Sequence, residues 1–317
     1  MGIENHADFS GAVKAKYFAK HMAQKTIALI PHGFALQEGI KKSLGHWNRR
    51  IPKDRYLERL QSEVDRFKSH DIQPPKVVLE QGTGWSGCDL VLFYLGGAER
   101  ILTYDTRPWL RVELLRRTAS DILDNLEFLK GWTGISVDML EDRANKLRAS
   151  LDLSLPGLLK LMGAEYRVTK DFSYAEVEDE SVDLFFSYST LQRIRPESLK
   201  HIVDQSRRVL RPNGVNYHRV HMHDFHHIED KRVPRFYYLT FGETLWELMT
   251  STYFNYQNRL RLPEFLGLFD GFRVETDNLR YWDEDIAYAE AYLSAIYPNF
   301  TPEQIVTWQA DIFARKV

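Results

Sequence analysis

Residues 77–87 read Val77-Val78-Leu79-Glu80-Gln81-Gly82-Thr83-Gly84-Trp85-Ser86-Gly87, a short apolar run ending in three glycines at G-x-G-x-x-G spacing. Glycines placed so let a strand end, the backbone bend tightly and a ligand or helix approach closely. The spacing alone does not say which ligand. The residues around the loop decide that.

Outward from the loop, elements alternate. Lys76 to Glu80 reads as a strand and Gly87 to Leu95 as a helix closed by Gly96-Gly97. Arg100 to Tyr104 is a second strand ending at Asp105, and Pro108 to Leu129 has the periodicity of a long amphipathic helix. Tyr166 to Thr169 is a weak third strand, Val182 to Tyr188 a strong fourth, Pro196 to Val209 a helix, and Val215 to Met222 a fifth strand. Arg211-Pro212-Asn213-Gly214 marks the turn before that fifth strand. A helix near Pro263 to Leu268, a strand at Phe272 to Glu275 and a final strand at Ile312 to Val317 follow. Strand and helix in alternation imply a parallel sheet. The expected fold is therefore α/β, Rossmann-like and doubly wound, with a mostly parallel seven-stranded sheet. Residues 1–73 are expected to be an N-terminal helical cap, broken at Pro31-His32-Gly33 and Ile51-Pro52-Lys53; residues 74–317 form the main domain, with helical insertions near 133–163 and 230–257.

Composition narrows the function classes. The 317 residues are 44% hydrophobic and 27% charged, values of an ordinary globular chain, and the formal charge of −2 gives no basic footprint for nucleic acid. The run Asn48-Arg49-Arg50-Ile51-Pro52-Lys53 reads as a solvated loop. Cys88 is the only cysteine, so no internal disulfide forms, and the residue reads as packing at a helix start. No apolar run approaches a membrane span, and residues 1–11 lack the order of a signal peptide. A cytoplasmic protein with a small-molecule partner is expected; a homo-oligomer is compatible with the sequence.

The ligand of the loop follows from charge. A pyrophosphate seated at a helix N-terminus is repelled by a fixed carboxylate at the strand's end, where Glu80 stands. S-adenosylmethionine presents an ammonium and a sulfonium, for which that carboxylate is an asset. Trp85 is bulky for a loop that presses amides onto phosphate.

On these residues the chain resembles a class I S-adenosylmethionine-dependent methyltransferase from about Lys76 to Val220. Glu80-Gln81-Gly82-Thr83-Gly84 resembles the family's first motif. Asp105, with Thr106 beside it, stands where such enzymes hold both ribose hydroxyls, and Asp171-Phe172 resembles the segment that meets the adenine. Ser181 to Ser187 resembles the fourth strand and Leu210 to Gly214 the turn before the fifth. The cofactor-binding set this implies is Glu80, Gly82, Thr83, Gly84, Trp85, Asp105, Thr106, Asp171, Phe172 and Ser187. Two positions depart from the family pattern: the third glycine comes one residue late, and Arg193 stands where many relatives have histidine.

Five of the eleven histidines lie in His218-Arg219-Val220-His221-Met222-His223-Asp224-Phe225-His226-His227. Period two puts His221 and His223 on one face at the carboxyl end of the fifth strand, where open parallel sheets bind ligands. Methyl transfer needs an aligned nucleophile and an acceptor for its proton. His221 or His223 is the expected base, with Asp224 as its orienter and His218 and His227 nearby. The spacing also permits a divalent metal held by His221, His223, Asp224 and His227. Tyr256, Asn258 and Arg259 are candidate substrate contacts. The His/Asp stretch together with residues 257–261 resembles a bacterial subgroup associated with glycan and secondary-metabolite pathways.

The expected activity is methyl transfer from S-adenosylmethionine to a hydroxyl of a sugar or other polyhydroxylated metabolite. N-methylation of a small amine, NAD(P)-dependent oxidoreduction and non-catalytic cofactor binding remain alternatives.

Overall fold

Four strands buried on both faces lie side by side in parallel: β1 (Val77–Gln81), β2 (Arg100–Asp105), β4 (Val182–Tyr188) and β5 (Leu210–His221), with β3 (Ala164–Val168) on the β2 edge. Their near-continuous apolar runs are what a sheet covered by helices on both faces requires. β7 (Gln309–Lys316) enters antiparallel between β5 and β6 (Phe272–Arg280), giving the seven-stranded order β3-β2-β1-β4-β5-β7-β6. From β1 the chain builds outward through β2 and β3, then returns to place β4 on the other side of β1. The carboxyl ends of β1 and β4 thus form a topological switch point, where such sheets open a crevice. The computed structural model describes residues 10–33, 35, 36, 39, 43, 52–250, 252 and 256–317. Phe34, Ile40, Leu44 and residues 48–51 of the loop expected at 48–53 lie outside the described residues.

One face of the sheet is covered by α2 (Lys53–Ser69), α3 (Cys88–Gly96), α4 (Val112–Leu123), α5 (Val137–Arg148) and α6 (Leu155–Leu161), the other by α7 (Pro196–Val209) and α10 (Leu262–Gly267). The first core therefore runs across the boundary expected at residue 73. Leu60, Val64 and Phe67 of α2, spaced three and four apart, are fully buried in it, and each contributes about 1.5–3 kcal/mol of burial. The expected insertion at 133–163 carries α5 and α6, each started by a serine, Ser136 or Ser154, whose hydroxyl accepts from a first-turn amide. One smaller cluster joins α9 (Glu243–Thr250), α11 (Asp283–Tyr292) and α12 (Pro302–Val306), and another joins α9 to the amino-terminal α1 (Gly11–Leu29); the short α8 (Phe225–Glu229) contributes to neither.

Several boundaries differ from the expectation; β6 runs five residues beyond Glu275 and β7 starts three before Ile312. The helix expected from Pro108 begins only at Val112, because residues 106–111 return toward the glycine loop, where Arg111 N–H donates to Trp85 C=O at 3.0 Å. It ends at Leu123, followed by a 3₁₀ turn at Leu126–Leu129. The turn Arg211–Gly214 lies within β5 as a bulge: Val182 pairs with Leu210, but Leu184 already pairs with Val215. Asn213 takes φ 64° there, a conformation asparagine tolerates better than most residues.

Candidate functional site

The glycine loop is tied down at both ends. Gly82 N–H donates to Tyr104 C=O at 2.7 Å, and Gly84 N–H donates to Asp105 Oδ2 at 3.0 Å. Gly82 has φ 98°, and a Cβ there would collide with the Thr190 side chain, so the loops after β1 and β4 meet at this residue. Asp105 also accepts from Thr106 N–H at 2.7 Å. Burial raises its carboxyl to about 6, while these amides act to lower it. Four lone-pair sites on a carboxylate leave capacity for further donors such as ribose hydroxyls.

Glu80 is 1% exposed, and its carboxylate accepts from Thr103 Oγ1 at 2.5 Å. Thr103 in turn contacts Thr83 Oγ1 at 2.5 Å, joining Glu80 to the loop. Glu80 has no ion pair among the described residues. Burial and the neighbouring Asp89 carboxylate push its carboxyl up to about 8. A buried carboxyl with a neutral donor and no ion-pair partner keeps its proton near neutrality and ionises only where a cation arrives to pair with it. Trp85 stands at the rim, its ring edge-on to Trp109 at 6.0 Å.

The remaining expected cofactor residues divide. Asp171 is exposed and closes its own turn, accepting from Ser173 N–H and Oγ at 2.9 Å each. It borders a recess with Tyr104, Arg167, Tyr174 and Glu176, while Phe172 packs half-buried against the core on the α7 face. Ser187 corrects the expectation: it is fully buried and its hydroxyl bonds His218 Nδ1 at 2.8 Å. His218 shares the strand face of Val220 and Met222 beneath α7 and α10, between the rings of Phe185 and Phe269. Burial lowers it to about 3. It is a packed core histidine rather than a catalytic one.

The other histidines are used differently from one another. His221 ends β5, its ring 5.6 Å from Tyr188 and 5.9 Å from His223, with Nε2 at 3.2 Å from Gln309 Oε1. Burial first, then the Arg219 charge, lower it to about 4, so its ring is neutral at pH 7. His223 packs edge-on against Trp308 at 5.7 Å. The expected pairing with Asp224 does not form. Asp224 caps α8, accepting from His226 N–H and from the Tyr17 hydroxyl, each at 2.8 Å, and it is 1% exposed. A residue at a helix N-cap turns its oxygens to the backbone, which takes them from the imidazoles. His227 directs Nδ1 to Val233 C=O at 2.7 Å. Among the described residues no three His, Cys, Asp or Glu side chains form a metal-ligating group, so the four-ligand arrangement the spacing permitted is not assembled.

Two of the expected substrate residues are anchors. Asn258 is buried and donates to Leu191 C=O and Ile194 C=O at 2.8 Å, clamping the turn after β4. Arg259 donates to Phe241 C=O and pairs with Glu243. Tyr256 is half-buried beneath the Arg195 guanidinium, 4.6 Å from its ring centre.

Sequence reasoning missed a buried charge network beside the loop. Arg59 of α2 pairs with Glu63 and with Asp89 of α3, each at 2.9 Å, and lies 4.2 Å from the Tyr188 ring centre. Behind it Arg219 holds Asp311 through two bonds of 2.5 and 2.7 Å, and Arg66 reaches the same carboxylate at 2.8 Å. The signal was present only as Arg59 and Glu63 four apart on a helix, which is also the pattern of a solvated pair.

No protein-family model and no curated protein matches the chain. Among solved structures it is similar to an S-adenosylmethionine-dependent methyltransferase from Mesorhizobium loti, at 14% identity over 77% of this chain and 92% of that one, TM-score 0.41. It is also similar to geranyl diphosphate C-methyltransferase from Streptomyces coelicolor A3(2), at 12% identity over 81% and 79%, TM-score 0.41. A third is a methyltransferase of the same cofactor class from Archaeoglobus fulgidus, at 11% identity over 82% and 94%, TM-score 0.43. At this degree of likeness the reading of the site rests on this chain's own residues. No helix among the described residues is long and apolar enough to cross a membrane.

Proposed function

We propose that the protein transfers a methyl group from S-adenosylmethionine to a hydroxyl of a small polyhydroxylated molecule. The observation that carries the reading is Glu80: a fully buried carboxyl at the switch point, bonded to a threonine hydroxyl and without an ion-pair partner among the described residues. A pyrophosphate would oppose its ionisation further, whereas the cofactor's ammonium or sulfonium would pair with the carboxylate as its proton leaves. Gly82 and Gly84 allow close approach of backbone to ligand, and Asp105 retains acceptor capacity for ribose hydroxyls. The cofactor contributes the electrophilic methyl; the chain binds, orients and excludes water.

For the acceptor's proton the reading takes His221. Its ring is neutral at pH 7, sits at the carboxyl end of β5 and is oriented by Gln309. When Nε2–H donates to Gln309, Nδ1 is left as the acceptor. Calorimetric titration of S-adenosylhomocysteine into wild type and Glu80→Ala, with NADH as control, tests the cofactor. Binding that the substitution weakens, with no response to NADH, is expected; binding of NADH alone would overturn the proposal. The unliganded Glu80 carboxyl holds its proton below about pH 8, and a bound cation favours the carboxylate. Binding near neutrality therefore releases a proton, seen as a buffer-dependent heat, and affinity falls as pH is lowered.

A further inference from the structure

The segment between β3 and β4 is tied to the ends of both strands that carry the proposed cofactor residues. Thr169 N–H donates to Asp105 C=O at 2.9 Å, and the Tyr174 hydroxyl donates to Gln81 Oε1 at 2.8 Å, one residue before Gly82. Tyr174 takes φ 46°, a left-handed conformation that disfavours a residue with a Cβ. Arg208 of α7 holds it there: its guanidinium donates to Val177 C=O at 2.7 Å, Tyr174 C=O at 2.9 Å and Ser173 C=O at 3.2 Å. A strained residue persists only where its surroundings over-determine it, and such residues gather at ligand sites. The side chain so placed is 1% exposed and touches both strand ends. Its hydroxyl holds the buried Gln81 amide, and its ring meets that of Tyr104 edge-on at 4.9 Å. Tyr104 in turn precedes Asp105 and supplies the C=O that accepts from Gly82 N–H. The same two rings line a recess of about 390 Å³ that extends to Thr169, the residue bonded to Asp105.

We infer that Tyr174 is a positioning residue for the cofactor loop: through the Gln81 bond and the Tyr104 ring contact it fixes the end of β1 and the carbonyl that receives Gly82 before any ligand arrives. The inference rests on the proposed use of S-adenosylmethionine. Order supplied in advance is order that binding does not have to impose, so the Tyr174 hydroxyl acts on affinity and not on stability alone. Tyr17 provides the matched comparison. Its hydroxyl also donates to a buried oxygen at 2.8 Å, but that oxygen belongs to Asp224 at the start of α8, away from the glycine loop.

The test is calorimetric titration of S-adenosylhomocysteine into wild type, Tyr174→Phe, Gln81→Met, the double variant and Tyr17→Phe, at a temperature well below every thermal melt. Tyr174→Phe is expected to weaken affinity by about two- to tenfold, the usual worth of one hydrogen bond. Gln81→Met breaks the same bond from its other side and is expected to lose a similar factor, with the double variant losing no more than the larger single loss. Tyr17→Phe is expected to lower the melt alone. A Tyr174→Phe protein that melts earlier yet binds as wild type has lost only packing, and that result overturns the inference. So does a double variant in which the two losses multiply. Should Tyr174→Phe not fold, Gln81→Met decides alone, and wild-type affinity there overturns the inference. Wild type that binds no S-adenosylhomocysteine overturns the proposed function instead.

Discussion

The glycine loop after β1 and the histidine-rich stretch after β5 are equally conspicuous in the sequence, and both sit at the carboxyl edge of the sheet. They differ in what folding leaves unsatisfied. At the loop, backbone amides and hydroxyls bond to Asp105 and Thr103, yet Glu80 remains a buried carboxyl without an ion-pair partner among the described residues. In the histidine stretch, the polar groups are largely consumed: Asp224 by Tyr17 and a backbone amide, His218 by Ser187, His227 by Val233. The stretch dense in reactive side chains is thus the one whose polar groups are mostly partnered, while the loop keeps a buried carboxyl without an ion pair among the described residues.

The sharpest way to break this contrast is to compare His221 with its neighbours. His221→Ala is expected to lower turnover by about 10²–10⁴-fold, the usual worth of a general base, with S-adenosylhomocysteine affinity unchanged. Asp224→Asn should leave turnover near wild type once folding is verified. Equal losses in steady-state kinetics would return Asp224 to the chemistry. Next in size, Gly82→Ala forces a side chain into φ 98° and against Thr190, which should cost about 1–3 kcal/mol of stability and much of the cofactor affinity. Denaturant melts and calorimetry measure the two; wild-type values in both would mean that the two loops do not meet.

Asp105→Asn keeps an acceptor for the loop amides but loses the charge, so cofactor affinity should fall by roughly tenfold or more, seen by calorimetry, with little change in melting. Smallest is Tyr17→Phe, which removes one hydroxyl from Asp224 and should cost about 1–2 kcal/mol without altering cofactor affinity. An effect on affinity would show that α1 is part of the cofactor pocket.

The alternation of strands and helices was legible because it depends on local periodicity. The loop was legible because a glycine's backbone freedom and a carboxylate's charge act where they stand. Asp224 misled because its helix α8 is only five residues long and its hydroxyl partner lies on α1, far away in sequence. Ser187 and His218 misled together: each occupies a plausible position, and only the pairing of β4 with β5 turns them toward one another. Asn258 looked like a substrate contact because an exposed amide and a buried one are the same letter. Arg59 escaped notice because a pair four apart on a helix reads as solvated until the core is seen to close over it.

The clamp made by Asn258 has a wider consequence. Its amide holds Leu191 and Ile194, and one residue before Leu191 is Thr190, whose side chain occupies the space left by the missing Cβ of Gly82. The segment that follows the insertion and the loop proposed to hold the cofactor are therefore joined by two contacts and a single peptide link. If a molecule entering beside that segment shifts it, the contacts give the shift a short route to the loop, and the two occupancies would then exchange free energy. Such an exchange is reciprocal: whatever factor the acceptor imposes on cofactor affinity, the cofactor imposes on the acceptor.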